Sequence, residues 1–196
     1  FNSLVFMNLS GIINYKYNKN HLVPFGEYIP FRNNFKTIAH YLSSRDFVSG
    51  DLKENINLKG FGDIITLICY EILFSSEVSK RISNNTKLLI NITNDAWFGN
   101  TIGPHQHLAL AKIRAVESGL PLVRVANTGI SAFISPYGDE IVKIPINEEG
   151  VRHTNLIPPL EKTIYRKYGE YIFLIFISFF LFINYLTLYN YRENKQ

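Results

Sequence analysis

The chain has 196 residues, enough for one domain with a sizeable core. Hydrophobic residues make up 46% and charged ones 18%, which excludes a disordered chain. The formal charge of +4 is carried by scattered Lys and Arg, which argues against a nucleic-acid-binding groove and leaves room for weak attraction to an anionic membrane surface.

The first residue is Phe1 rather than methionine and runs straight towards a strand, so the chain reads as the C-terminal piece of something longer. Residues 4–7 and 11–17 read as strands, the second leading into a loop with Pro24, Gly26 and Pro30. Residues 31–42 have the pattern of a short helix. Residues 49–62 form a polar, turn-rich loop of the kind that lies over a site. Residues 63–69 are continuously apolar, as expected of a strand buried on both faces, and a helix is predicted over 72–82. A second buried strand, 87–93, ends in Asn94-Asp95-Ala96-Trp97-Phe98-Gly99. Pro104 then opens a helix that Gly119 closes, since proline suits the first helical turn. Leu108, Ala111 and Ala115 form its inner stripe, small enough to let it approach a sheet closely. Strands follow at 122–126, 131–134 and 140–144, the last two joined by a tight turn at Pro136-Tyr137-Gly138-Asp139. A final strand is predicted at 151–157. Strand–helix–strand order followed by paired strands predicts a layered α/β domain over residues 1–160.

Residues 161–170 read as a connector, and Tyr171–Tyr189 as an uncharged apolar run of 19 residues. At about 1.5 Å per helical residue the run is roughly as long as a bilayer's hydrocarbon core is thick. Tyr165, Tyr168 and Tyr171 at one end and Tyr185, Tyr189 and Tyr191 at the other match an interfacial aromatic belt. A transmembrane helix is therefore expected at 171–189, with residues 190–196 as a tail; a buried core helix is the alternative. Lys162, Arg166 and Lys167 precede the run while Arg192 and Lys195 follow it, so charge does not set its orientation.

Three segments carry chemistry: Asn18-Lys19-Asn20-His21-Leu22-Val23-Pro24-Phe25-Gly26-Glu27, Ile68-Cys69-Tyr70-Glu71, and Thr93-Asn94-Asp95-Ala96-Trp97-Phe98-Gly99. Cys69 is the sole cysteine, so it makes no internal disulfide and serves packing or chemistry. A thiol attacks only as thiolate, so it needs a nearby cation or base, and helix amides just beyond it would favour both thiolate and oxyanion. Lys19 can supply the charge if the fold brings it alongside, with Glu27 and Glu71 as candidate carboxylate partners. Taken singly, a cysteine at a strand end is more often packed and inert, and a loop lysine more often solvated. His105 and His107 are two apart and do not face one side of a helix, so no metal site is expected there. His21 reads as a loop-ordering residue.

Together and in this order, these segments resemble the apolipoprotein N-acyltransferase family, the membrane-bound branch of the nitrilase (carbon–nitrogen hydrolase) superfamily. Gly103-Pro104-x-Gln106-His107, Asn127-x-Gly129-Ile130-Ser131 and Pro136-x-Gly138 continue the resemblance along nearly the whole chain. It implies a nitrilase-like α-β-β-α sandwich, here its C-terminal part, followed by one transmembrane helix, and a Glu–Lys–Cys triad without cofactor or metal. Cys69 would be the nucleophile, and Lys19 with a backbone amide near Tyr70 would stabilise the oxyanion. Glu27 and Glu71 would hold Lys19, and Tyr70 and Trp97 would line the site. The family's general-base glutamate precedes the lysine loop. Residues 1–18 contain no glutamate, so that residue and the family's upstream helices are expected in a missing N-terminal part. The implied reaction takes an acyl chain from a phospholipid, through a Cys69 thioester, to the α-amine of a diacylglyceryl-modified apolipoprotein. The implied location is the bacterial inner membrane, with the catalytic domain on the periplasmic side. Two other readings stand beside this one: a nitrilase-type amidase acting on small amides, and a truncated or split-gene product inactive alone.

Overall fold

A computed structural model of the chain describes residues 1–32, 34, 46–51 and 55–193. The helix expected over 31–42 falls almost wholly outside these residues. Among the described residues the strands form two sheets. The smaller pairs β1 (Ser3–Met7) with β2 (Ile13–Asn18) in antiparallel register, Leu4 opposite Tyr17. The larger has six strands in sequence order: β3 (Ile56–Leu58), β4 (Gly62–Ile68), β5 (Thr86–Thr93), β6 (Leu122–Ala126), β7 (Ser131–Ile134) and β8 (Glu140–Ile144). β4, β5 and β6 are parallel neighbours, whereas β3–β4, β6–β7 and β7–β8 are antiparallel. Residue 56 onward thus forms an edge strand inside the segment expected to be loop throughout, because Ile56 and Leu58 pair with Ile64 and Gly62 and so bury Ile56.

The parallel strands are apolar on both faces because both are covered. α1 (Ser75–Arg81) follows β4, and α2 (Gly103–Ser118) joins β5 to β6. On the α2 side, Ile65, Leu67, Leu89, Leu122 and Ile134 pack with Leu108, Ala111 and Ala115 in one cluster. The two alanines are wholly buried, so helix and sheet meet closely where their side chains are smallest. Pro104 lies in the first turn of α2, and Gly119 ends the helix in a left-handed conformation (φ 64°), its N–H donating to the carbonyls of Ala115 and Val116. On the opposite face Ile64, Leu88 and Phe133 form a second cluster, joined by Phe6 of β1. Leu4 and Tyr17 cover Ile68, so the small sheet lies over the C-terminal end of β4.

The strand expected over 151–157 is absent: those residues carry no regular structure and are exposed up to Leu156. Their β-branched content is insufficient without a neighbouring strand to share hydrogen bonds. Beyond them α3 (Ile164–Tyr168) is capped by the Thr163 hydroxyl, which accepts from the Arg166 N–H, and α4 (Tyr171–Glu193) follows. The 19 uncharged residues of α4 have a mean hydropathy of 2.2 and none is buried, so the alternative of a buried core helix does not hold.

Candidate active site

The C-terminal ends of β4, β5 and β6 converge on a cleft of about 880 Å³, lined by residues 68–70, 92–94 and 125–127 with Lys19, Glu27, Phe47 and Trp97. Such strand ends are where open parallel sheets place their ligands. β4 stops at Ile68, and Cys69 enters a 3-10 turn, Cys69–Leu73, with a positive φ of 55°. For a residue with a Cβ this conformation costs about 1–2 kcal/mol, and it is sustained by the contacts around it. The α-helix expected from residue 72 begins only at Ser75, so the amides nearest the thiol belong to the 3-10 turn. The partly exposed Cys69 side chain borders the cleft.

Lys19, just past β2, is 1% exposed, and its Nζ lies 2.5 Å from Glu27 Oε2. Glu27 closes its own loop by accepting from the Val23 N–H at 2.8 Å and from Asn2 Nδ2 at 3.0 Å. Burial opposes ionisation of Glu27, but the Lys19, Val23 and Asn2 hydrogen bonds and the Lys19 charge outweigh it. Its carboxyl therefore lies below the usual carboxylate range.

Glu71 does not hold Lys19, contrary to expectation. Its Oε1 accepts from the Tyr17 hydroxyl at 2.9 Å and from the amides of Asn20 at 2.7 Å and His21 at 3.1 Å, and its Oε2 from the Ile68 amide at 2.7 Å. Glu71 thereby fastens the lysine loop to the turn that carries Cys69, and Lys19 and Cys69 come to line one cleft through main-chain anchoring rather than through a shared carboxylate. Burial, then the Glu71 charge, push the Tyr17 phenol far above its ordinary value, so it remains a donor. His21 orders the same loop from outside: its ring stacks on Phe74 and Nδ1 meets Glu77 at 2.9 Å.

Tyr70 and Trp97 both border the cleft, Trp97 being 77% exposed, with Phe47 and Phe98 also lining it. Burial, then the nearby Cys69 and Asp95, raise the Tyr70 phenol. His107 is buried and His105 exposed, and among the described residues no group of three or more His, Cys, Asp or Glu side chains could hold a metal ion.

Sequence reasoning missed the polar cluster beneath the turn. Arg124 is fully buried and bonds Asn91 Oδ1 at 2.5 Å and Asp95 Oδ2 at 2.7 Å. Asp95 Oδ1 in turn receives the Thr93 hydroxyl and His107 Nδ1, both at 3.0 Å. Burial opposes its ionisation, but the His107 hydrogen bond and the Arg124 and His107 charges hold the Asp95 carboxyl below its usual range. The signal was present: Leu122-Val123-Arg124-Val125-Ala126 places a lone charge in an apolar strand, which persists only with a buried partner.

The sequence pattern of the carbon-nitrogen hydrolase family matches residues 1–160, and the chain belongs to that family, with a nitrilase-like α/β fold. Among solved structures it is similar to Saccharomyces cerevisiae Nit3 of branch 10 of the nitrilase superfamily (TM-score 0.55, 19% identity, covering 75% of this chain and 50% of that one). It is likewise similar to a carbon-nitrogen hydrolase from Helicobacter pylori G27 (TM-score 0.53, 17% identity, 76% and 53% covered). Curated relatives are more alike in sequence. The apolipoprotein N-acyltransferase of Rhodopseudomonas palustris is 41% identical over 87% of this chain and 32% of its own length. That of Rickettsia prowazekii is 42% identical over 88% and 35%. The chain spans about a third of the length of these relatives.

Proposed function

We propose that this chain is the thiol-bearing part of an apolipoprotein N-acyltransferase. The observation that carries the reading is Cys69, set on a positive-φ turn at the edge of a cleft that it shares with the Lys19–Glu27 ion pair. The names of relatives about 40% identical support the acyltransferase over an amidase of small amides.

In the first step the Cys69 thiolate attacks an ester carbonyl of a phospholipid. Lys19 and the Tyr70 amide stabilise the tetrahedral oxyanion, and the C–O bond breaks to release a protonated lysophospholipid, leaving an acyl thioester. In the second step the α-amine of a diacylglyceryl-modified apolipoprotein attacks the thioester carbonyl. An amide forms and the C–S bond breaks; the general base, which in the first step passed the thiol's proton to the departing lysophospholipid, now takes the amine's proton and returns it to the Cys69 thiolate. That base is a glutamate of the upstream part of the enzyme. The apolar side chains of Phe47, Trp97 and Phe98 around the cleft keep water from the thioester. α4 spans the bacterial inner membrane and holds the domain at its periplasmic face, since both substrates are lipids that stay in the bilayer.

The test is a chimera in which residues 1–196 replace the matching third of the Rickettsia prowazekii relative. Mass spectrometry of a reporter lipoprotein expressed with it should find the N-terminal amide and a hydroxylamine-labile acyl group on Cys69, and neither with Cys69→Ser. N-acylation that survives Cys69→Ser would sink the reading. A chimera that acylates while the chain alone does not would establish that the upstream part supplies the base.

A further inference from the structure

The buried cluster around Arg124 takes no part in either acyl-transfer step, yet it reaches the nucleophile turn twice. Asn91 Nδ2 donates to the carbonyl of Cys69 at 3.2 Å and to that of Leu67 at 3.3 Å. Its Oδ1 is held by Arg124 Nη1, while Arg124 Nη2 holds Asp95. His107, on the far oxygen of Asp95, stacks on the Tyr70 ring with centroids 5.4 Å apart and planes at 25°. Charge balance explains why an arginine faces Asp95. It does not explain the second arm of the guanidinium, spent on a neutral amide whose own protons go to the turn. A planar fork holds both groups in fixed directions, whereas the rotatable donors of a lysine do not.

The peptide between Cys69 and Tyr70 is planar and trans, so the direction of the Cys69 carbonyl dictates that of the Tyr70 N–H. With the carbonyl drawn into the core by Asn91, the Tyr70 N–H is aimed the opposite way, out of the core. We infer that Asn91 and Arg124 are positioning residues that hold the Cys69 carbonyl and thereby aim the Tyr70 amide at the oxyanion formed on Cys69. The inference rests on Cys69 being the nucleophile.

Cys69 is the only thiol, so its chemistry can be followed in the intact chain in detergent. Two reagents separate aiming from folding. Acylation by p-nitrophenyl decanoate joins Cys69 Sγ to the acyl carbon through a tetrahedral oxyanion and expels p-nitrophenolate. Alkylation by iodoacetamide displaces iodide and forms no oxyanion. At a pH of about 9.5 an ordinary thiol is ionised, so neither reaction needs a general base. Asn91→Asp keeps the shape and an acceptor for Arg124 but loses the amide protons; Arg124→Lys keeps the charge but not the fork. Each should lower the acylation-to-alkylation ratio about 100-fold, as losing an oxyanion donor does, with alkylation within about twofold of wild type. An unchanged ratio in Asn91→Asp overturns the inference, and full retention in Arg124→Lys overturns it for Arg124. A variant that unfolds changes both rates together, and the other variant then decides. A wild-type chain that is alkylated but never acylated overturns the nucleophile reading, and with it this inference.

Discussion

Glu27, like Asp95, is an acid-sensitive residue of the site. Its carboxyl titrates below the ordinary 4.5 in the folded chain, so unfolded chains bind its proton more readily. Its contribution to stability is therefore complete above the ordinary value and declines as pH falls through the depressed one. Urea unfolding followed against pH should show this acid loss in wild type and a flatter profile in Glu27→Gln. At neutral pH the same substitution leaves the Lys19 ammonium buried without its counter-charge and should cost about 3 kcal/mol. Gly129 is the second sensitive residue: a Cβ there would lie 2.2 Å from Asp95 Oδ2. Asp95 is tied to Arg124, His107 and Thr93 and cannot yield, so Gly129→Ala should destabilise by about 1–3 kcal/mol. Gly26→Ala, whose Cβ meets nothing nearer than 3.5 Å, is the control in the same unfolding series. The segments carrying Cys69, Lys19 and Glu27 stood out in the sequence because they keep a recognisable spacing. Asn91 did not, because an asparagine within β5 acquires meaning only from the carbonyl it faces across the sheet.

At the scale of elements, the lysine loop and the turn that carries Cys69 behave as one unit through Glu71. Replacing Glu71 with Ala would leave the buried Ile68 amide without its acceptor and free those of Asn20 and His21. The expected loss is at least about 3 kcal/mol, and hydrogen exchange should speed up first at those two loop amides. α2 offers a second test. Ala111 is fully buried against the sheet, so Ala111→Leu overpacks the contact by about 1–3 kcal/mol in urea unfolding, whereas the 45% exposed Ile113 tolerates alanine. Strands β4 to β8 and α2 were readable from apolar runs and end signals. β3 was not, being three residues long, and the segment 151–157 was misread because strand propensity does not create a pairing partner.

At the scale of the whole molecule, the domain that holds the cleft and the apolar helix are joined by a short connector. The connector ties them together: Glu170, one residue before α4, accepts from the hydroxyls of Ser75, at the start of α1, and Tyr165. Arg166 donates to the Ser83 carbonyl just beyond the other end of α1. If α4 spans a bilayer, the chain should resist carbonate extraction from membranes. Phe180→Arg with Leu181→Arg should release it, since each arginine at mid-bilayer costs about 2.5–3.5 kcal/mol on an insertion scale.

The sequence by itself determined most of the order of strands and helices, the apolar helix, and the segments that carry Cys69, Lys19 and the two candidate carboxylates. These are local properties, set by periodicity, by residue type and by spacing along the chain. Only the tertiary structure decided that Glu27 alone of the two glutamates meets Lys19, that Glu71 staples loop to turn, and that a buried arginine underlies the Cys69 turn. Those pairings join residues far apart in the chain, such as Asn20 with Glu71 and Asn91 with Arg124. They exist because the parallel sheet brings its strand ends together, and a buried charge has no stable place except against the partner found there.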